Sequence, residues 1–139
     1  MAFDLLIGFT TRTGCRMLQS TVLVIAKDRF VSTLLAALIE LSGRRVAIRA
    51  EDEGSSSAVQ RTHPALVMFD CALGITECSE IAALARLEGL RMLMFSASHT
   101  DREARDIARL YGAPCFVLPI KPRDFMTSLD NALEIVIQS

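Results

Sequence analysis

Tryptophan is absent from this 139-residue chain and tyrosine occurs once. Grooves for single-stranded nucleic acid stack bases on aromatic rings, so that platform is poorly supplied here. An excess of one charge is also lacking. Fifteen Lys and Arg stand against 16 Asp and Glu, for a net charge of −1. That balance argues against a broad surface for nucleic acid or for an anionic membrane. No run approaches the roughly 20 apolar residues that a membrane span needs. The apolar stretch Met1 to Phe9 lacks a positive n-region and a clear cleavage site, so it makes a poor signal peptide. Cys15, Cys71, Cys78 and Cys115 form no C-x-x-C pair, and His63 and His99 are not spaced to complete a zinc set. Free cysteines in a largely apolar chain fit a reducing cytosol. Internal repeats and low-complexity tracts are missing as well.

What is present suffices for one domain with a real core. Hydrophobic residues make up 51% and charged residues 22%, which excludes the composition of a disordered chain. From Thr21 onward, strand and helix signals alternate. Thr21 to Ile25 is a β-branched run. A helical pattern follows, with Phe30, Leu34, Leu38 and Leu41 on one face and Gly43 as its stop. Arg45 to Ala50 alternates as a half-exposed strand, and a short helix near Ser57 to Thr62 ends before Pro64. Ala65 to Phe69 is apolar throughout, as a strand buried on both faces would be. A helix near Ser79 to Leu87, a strand from Arg91 to Phe95, and a helix carrying Ala104, Ile107, Ala108 and Tyr111 come next. Thr100 and Glu103 form a capping box for that last helix. Cys115 to Leu118 is the fifth strand. Phe125, Leu129, Leu133 and Val136 mark the final helix, with Pro122 near its start.

Five strand–helix repeats with short connections imply a doubly wound α/β fold: one five-stranded parallel sheet with helices on both faces. Residues 1–20 stand outside this pattern as an N-terminal extension, and residues 21–139 form the domain. In such a sheet, ligands and chemistry gather at the C-terminal strand ends. Three polar side chains are expected there. Asp70 follows the third strand, Ser96 the fourth, and Lys121, before Pro122, the fifth. Taken singly, a strand-terminal Asp is more often a turn or cap residue. Together, a carboxylate, a hydroxyl and an ammonium suit phosphoryl chemistry. The carboxylate can act as nucleophile, the hydroxyl can bond a phosphoryl oxygen, and the ammonium can neutralise its charge.

At these residues the chain resembles the receiver domain of two-component response regulators. The resemblance runs from about Thr21 to the C-terminus. It implies the (βα)5 flavodoxin-like receiver fold, with Asp70 as phospho-acceptor for a histidine kinase and Ser96 and Lys121 as its companions. Leu73 fits the apolar position three residues after that Asp. The family usually carries two adjacent acids after the first strand, which hold Mg²⁺. Here Ala26 and Lys27 take those positions, and only Asp28, one step later, is acidic. Gly74 stands where Pro is common and Cys78 where Gly is common. Leu118 or Phe116 falls near the family's aromatic switch position.

Mg²⁺ prefers an octahedron of oxygens, mostly carboxylate, water and phosphate. Asp28 and Asp70 would make at best a weak Mg²⁺ site, and no other cofactor is implied. The Lys27 ammonium could replace the metal's charge by pairing with Asp70. The expected function is therefore a non-enzymatic, receiver-like signalling module. It would act by protein–protein contact, with Mg²⁺-dependent phosphorylation of Asp70 weak or lost. Its partner would be a histidine kinase or a downstream effector, in the cytosol, without nucleic acid or membrane. A homodimer through the fourth helix, fifth strand and fifth helix, or through residues 1–20, is compatible with this reading. The alternative is a functional phospho-acceptor. A nucleotide- or flavin-binding domain is disfavoured, because Ala26-Lys27-Asp28-Arg29 supplies no glycine-rich phosphate cradle.

Overall fold

The computed structural model describes residues 21–97 and 102–138. The extension at residues 1–20 and the Thr100 of the expected capping box lie outside the described residues. In chain order the elements are β1 (Thr21–Ile25), α1 (Arg29–Leu41), β2 (Arg45–Ile48), α2 (Ser55–Thr62), β3 (Leu66–Asp70), a 3₁₀ turn (Cys71–Leu73), α3 (Ile75–Glu88), β4 (Arg91–Ser96), α4 (Arg102–Tyr111), β5 (Cys115–Val117) and α5 (Pro122–Gln138). The strands form one sheet in the order β2-β1-β3-β4-β5, and each neighbouring pair is parallel. Strand order reverses between β1 and β3, which opens a crevice beyond their C-terminal ends. The fold is the doubly wound α/β fold that the alternation of strand and helix implies, in the flavodoxin-like form that the resemblance implies.

Alternate strand residues face opposite layers, because side chains on a strand have period two. Val22, Val24, Leu66, Met68, Leu93 and Phe95 face α1 and α5, where they meet Leu35, Ile39, Phe125 and Leu129. Leu23, Ile25, Val67, Phe69 and Met94 face α2, α3 and α4, where they meet Ala58, Val59, Ile81 and Ile107. Burying each such side chain is worth about 1.5–3 kcal/mol. On the α1–α5 side, Phe116 stacks on Phe95 with centroids 5.7 Å apart and meets Phe125 edge-on at 5.6 Å. Those rings tie β4, β5 and α5 together. Phe116 is therefore packed inward.

The expected α1 face is corrected by the structure. Phe30 is 75% exposed and Leu41 79%, whereas Ser32, Leu35, Ala36 and Ile39 form the buried arc. Apolar residues occupy more than one arc of this helix, so their spacing alone does not choose between them. The rotation is set by the cap: Asp28 accepts from the Phe30 amide at 2.8 Å, and that start turns Leu35 and Ile39 onto Val22, Val24 and Met68. Helix α3 begins four residues earlier than its pattern suggests. Gly74 enters it with φ of 97°, a conformation that side chains resist.

Candidate functional site

Asp70 ends β3 and is 3% exposed. Two backbone amides hold its carboxylate. Ala72 donates to Oδ1 at 2.9 Å, and Lys27 donates to Oδ2 at 3.0 Å. The first bond makes Asp70 the cap of the 3₁₀ turn. The second reaches across the switch point from the end of β1. Asp70 thus caps the turn and stands at the crevice edge with one side chain.

Ser96 is the last residue of β4 and is also 3% exposed. Phe95 is in register with Asp70, so Ser96 stands one position farther along the neighbouring strand. Its carbonyl accepts from the Leu118 amide at 2.8 Å. The sheet thus carries Asp70 and Ser96 to the same edge.

Lys121 does not complete the expected trio. β5 stops at Val117, and three residues separate it from Lys121. Leu118, bonded to Ser96 and buried among Phe116, Phe125 and Leu129, takes the place next to the strand end. Lys121 is exposed, and its carbonyl accepts from the Phe125 amide at 2.9 Å in the first turn of α5. No hydrogen bond or ion pair joins Lys121 to Asp70 among the described residues. The reason is hydrophobic: the core claims the first position after the strand for Leu118 and pushes the cation along the chain. The cis peptide falls at Leu118–Pro119.

Lys27 and Asp28 are corrected too. Lys27 touches Asp70 through its backbone amide, while its side chain is exposed. The ammonium therefore does not stand in for a metal against that carboxylate. Asp28 spends its Oδ1 on the Phe30 amide as the N-cap of α1, a role worth about 1 kcal/mol to a helix.

The residues present do not fit Mg²⁺. One buried carboxylate is bonded to two amides, and the other nearby carboxylate is turned to a helix end. Ala26 and Lys27 add no oxygen side chain. Among the described residues, no three His, Cys, Asp or Glu side chains gather as a metal-ligand group. The neighbourhood is basic instead. A groove of about 540 Å³ beside the end of β1 is lined by Lys27, Arg29 and Arg49 with Glu51 among them.

The sequence reading missed one feature. Arg49, Ser55 and Glu77 form a closed network: Arg49 Nη1 lies 3.3 Å from both Ser55 Oγ and Glu77 Oε2, and Ser55 Oγ donates to Glu77 Oε2 at 2.7 Å. These residues are far apart in the chain, so no local signal marks them.

No protein-family model matches the chain, and no curated protein matches it. Solved structures do. A putative response regulator from Chloroflexus aurantiacus superposes with a TM-score of 0.71 at 22% identity, over 83% of this chain and 98% of that one. CheY4, a chemotaxis protein of Vibrio cholerae, gives 0.66 at 16% identity, over 83% and 99%. NtrX from Brucella abortus, in complex with ADP, gives 0.73 at 23% identity, over 84% of this chain. This chain spans 26% of the length of that NtrX structure. These likenesses establish the fold: a doubly wound α/β domain with the receiver fold.

Proposed function

We propose that this chain is a receiver-type signalling domain of a two-component-type system that works by protein–protein contact, with Mg²⁺-dependent phosphorylation of Asp70 weak or lost. One observation carries the reading. The end of β1 presents Ala26, Lys27 and a cap-bound Asp28 to a carboxylate that two amides already hold. An incoming phosphoryl group would meet that buried charge without a metal between them, and repulsion between like charges at contact distance is severe in a partly buried site. Lys121, exposed just before α5, makes no bond to Asp70 that would offset it. The partner is then a histidine kinase or a downstream effector that recognises the folded surface, and the domain itself is not an enzyme. In the set of neighbours, response regulators and chemotaxis proteins support the signalling class.

The test is incubation with acetyl phosphate and Mg²⁺, followed by intact mass measurement. The expected result is no added phosphoryl mass. An adduct that disappears in Asp70→Asn overturns the proposal in favour of a working phospho-acceptor. The burial of Asp70 and Ser96 at one sheet edge is the observation that favours this second reading.

A further inference from the structure

The end of the sheet opposite Asp70 and Ser96 carries a cleft of its own. It lies where β4 and β5 begin, between the C-terminal ends of α3 and α4, with a volume of about 450 Å³. That size is ordinary for a small-molecule site. β4 is an inner strand, flanked by β3 and β5, yet its Met92 is only half-buried in the cleft. Val67, the register partner of Met92, and Met94, next on the same face, are fully buried. The cover thins at Met92 because α3 offers only Ala82, Ala85 and Gly89 there. Positions 82, 85, 86 and 89 recur at helical spacing, so Arg86 shares the cleft face of α3. Tyr111 stands on the α4 side, and its hydroxyl is hydrogen-bonded to Ser79 Oγ of α3. That bridge ties the two helices together one turn before Ala82 and holds the ring in place.

The charge of the cleft is one-sided. Arg86 and Arg91 line it, and no Asp or Glu does. Arg91 already has a partner. Arg86 is exposed and makes no hydrogen bond or ion pair among the described residues, so it is the cation that a ligand would meet. The carbonyl ends of α3 and α4 also meet here, and such ends repel anions. Capping blunts them. The Gly89 and Leu90 amides close on the Ala85 carbonyl, and the Gly112 and Ala113 amides on those of Arg109 and Ala108. One carboxylate matches the one open guanidinium in a bidentate pair. A phosphate dianion would leave its second charge facing the carbonyls. The Met92 thioether and the Tyr111 ring suit an apolar body, above all an aromatic one. We propose that this cleft binds a small apolar carboxylate, with the carboxyl group on Arg86 and the apolar body on Met92 and Tyr111. The cleft lies at the opposite ends of the strands from Asp70, so the proposal stands whether or not Asp70 accepts a phosphoryl group.

The experiment titrates the full chain with hydrocinnamate, an aromatic ring on a short chain that ends in a carboxylate, and follows it by calorimetry and amide NMR shifts. The expected result is one saturable site with a Kd of about 1 mM or below. The shifts should centre on Leu90, Met92, Tyr111 and Ala113. Hydrocinnamyl alcohol, the neutral analogue, should bind at least ~10-fold more weakly, because it cannot pair with a guanidinium. Arg86→Gln should lose a similar factor, ~10-fold or more. Arg86 is at the surface, so this variant should fold, which circular dichroism checks. Arg45→Gln, at an exposed arginine on the edge strand β2, should bind as the wild type does. Inorganic phosphate should not compete. Absence of saturation up to ~10 mM hydrocinnamate overturns the proposal. So do shifts centred outside the cleft, an alcohol that binds as tightly as the acid, competition by phosphate, unchanged binding in Arg86→Gln, or an equal loss in Arg45→Gln.

Discussion

Asp70 is held from across the crevice by Lys27, and the bond that does so, 3.0 Å from amide to Oδ2, uses the lysine's backbone. The contact is therefore indifferent to which side chain stands at position 27. It also means that the carboxylate is stabilised by neutral dipoles and not by a formal positive charge.

A first prediction concerns those two amides. Asp70→Ala removes both acceptors and leaves the Lys27 and Ala72 amides without them. An unsatisfied buried donor costs about 1–3 kcal/mol, so Asp70→Ala should destabilise the domain by about that much or more. Asp70→Asn keeps one carbonyl oxygen and should cost less than half as much. Urea unfolding of the three proteins checks this. Equal losses for Ala and Asn would show that the amides find other partners.

A second prediction separates the two faces of α1. Leu35 is fully buried against the sheet, while Phe30 is 75% exposed. Leu35→Ala should cost about 2–5 kcal/mol through lost burial and the cavity left behind. Phe30→Ser should stay within about 0.5 kcal/mol, as surface changes do. The midpoint of chemical denaturation measures both. A large loss for Phe30→Ser would mean that its ring is covered in solution.

The same helix shows where sequence reading stops. Strands β1 and β3 were legible because Val22 to Ile25 and Leu66 to Phe69 are apolar at every position, which only a doubly covered parallel strand requires. Asp70 and Ser96 were legible because each ends such a run. The α1 face was not, since Phe30, Leu34 and Leu41 compete with Leu35 and Ile39, and the Asp28 cap decides the rotation. Lys121 was misplaced for a related reason. Periodicity counts residues to the end of a strand but does not say which one the core will claim, and Leu118 took that place. Contacts such as Arg49 with Glu77 depend on chain crossings and leave no local trace.

A third prediction follows from Glu53. Arg61 grips its carboxylate through Nε at 2.7 Å and Nη2 at 2.8 Å, and the Ala50 amide adds a third bond at 3.1 Å. The Arg61 hydrogen bonds, followed by the Ala50 bond, lower the Glu53 carboxyl from an ordinary 4.5 to about 2. A carboxyl depressed on folding contributes stability above its unfolded value and loses it as pH falls through the folded one. The Glu53 contribution should thus be complete above about pH 4.5 and fade between there and about pH 2. Urea unfolding of wild type and Glu53→Gln should differ at pH 6 and converge towards pH 2. A difference that stays constant across that window would assign the effect to packing and not to the charge.

The last prediction restores the missing acids. Ala26 and Lys27 occupy the end of β1, and the Lys27 amide that meets Asp70 survives any side-chain change there except proline. Ala26→Asp with Lys27→Asp therefore adds two carboxylates beside Asp70 and removes one cation, without deleting the backbone contact. Three carboxylates at one sheet edge suit a hard divalent ion. An ion that binds only the folded state stabilises it by about 1.4 kcal/mol at ten times its dissociation constant. The double variant should gain several degrees in unfolding temperature with millimolar Mg²⁺, and the wild type should gain none. Asp28→Ala in that background should lower overall stability by about 1 kcal/mol through the lost cap, yet leave the Mg²⁺ response in place, because Asp28 faces the Phe30 amide. An equal Mg²⁺ response in wild type would mean that the pocket already holds the ion, and the case for a disabled phospho-switch would fall with it.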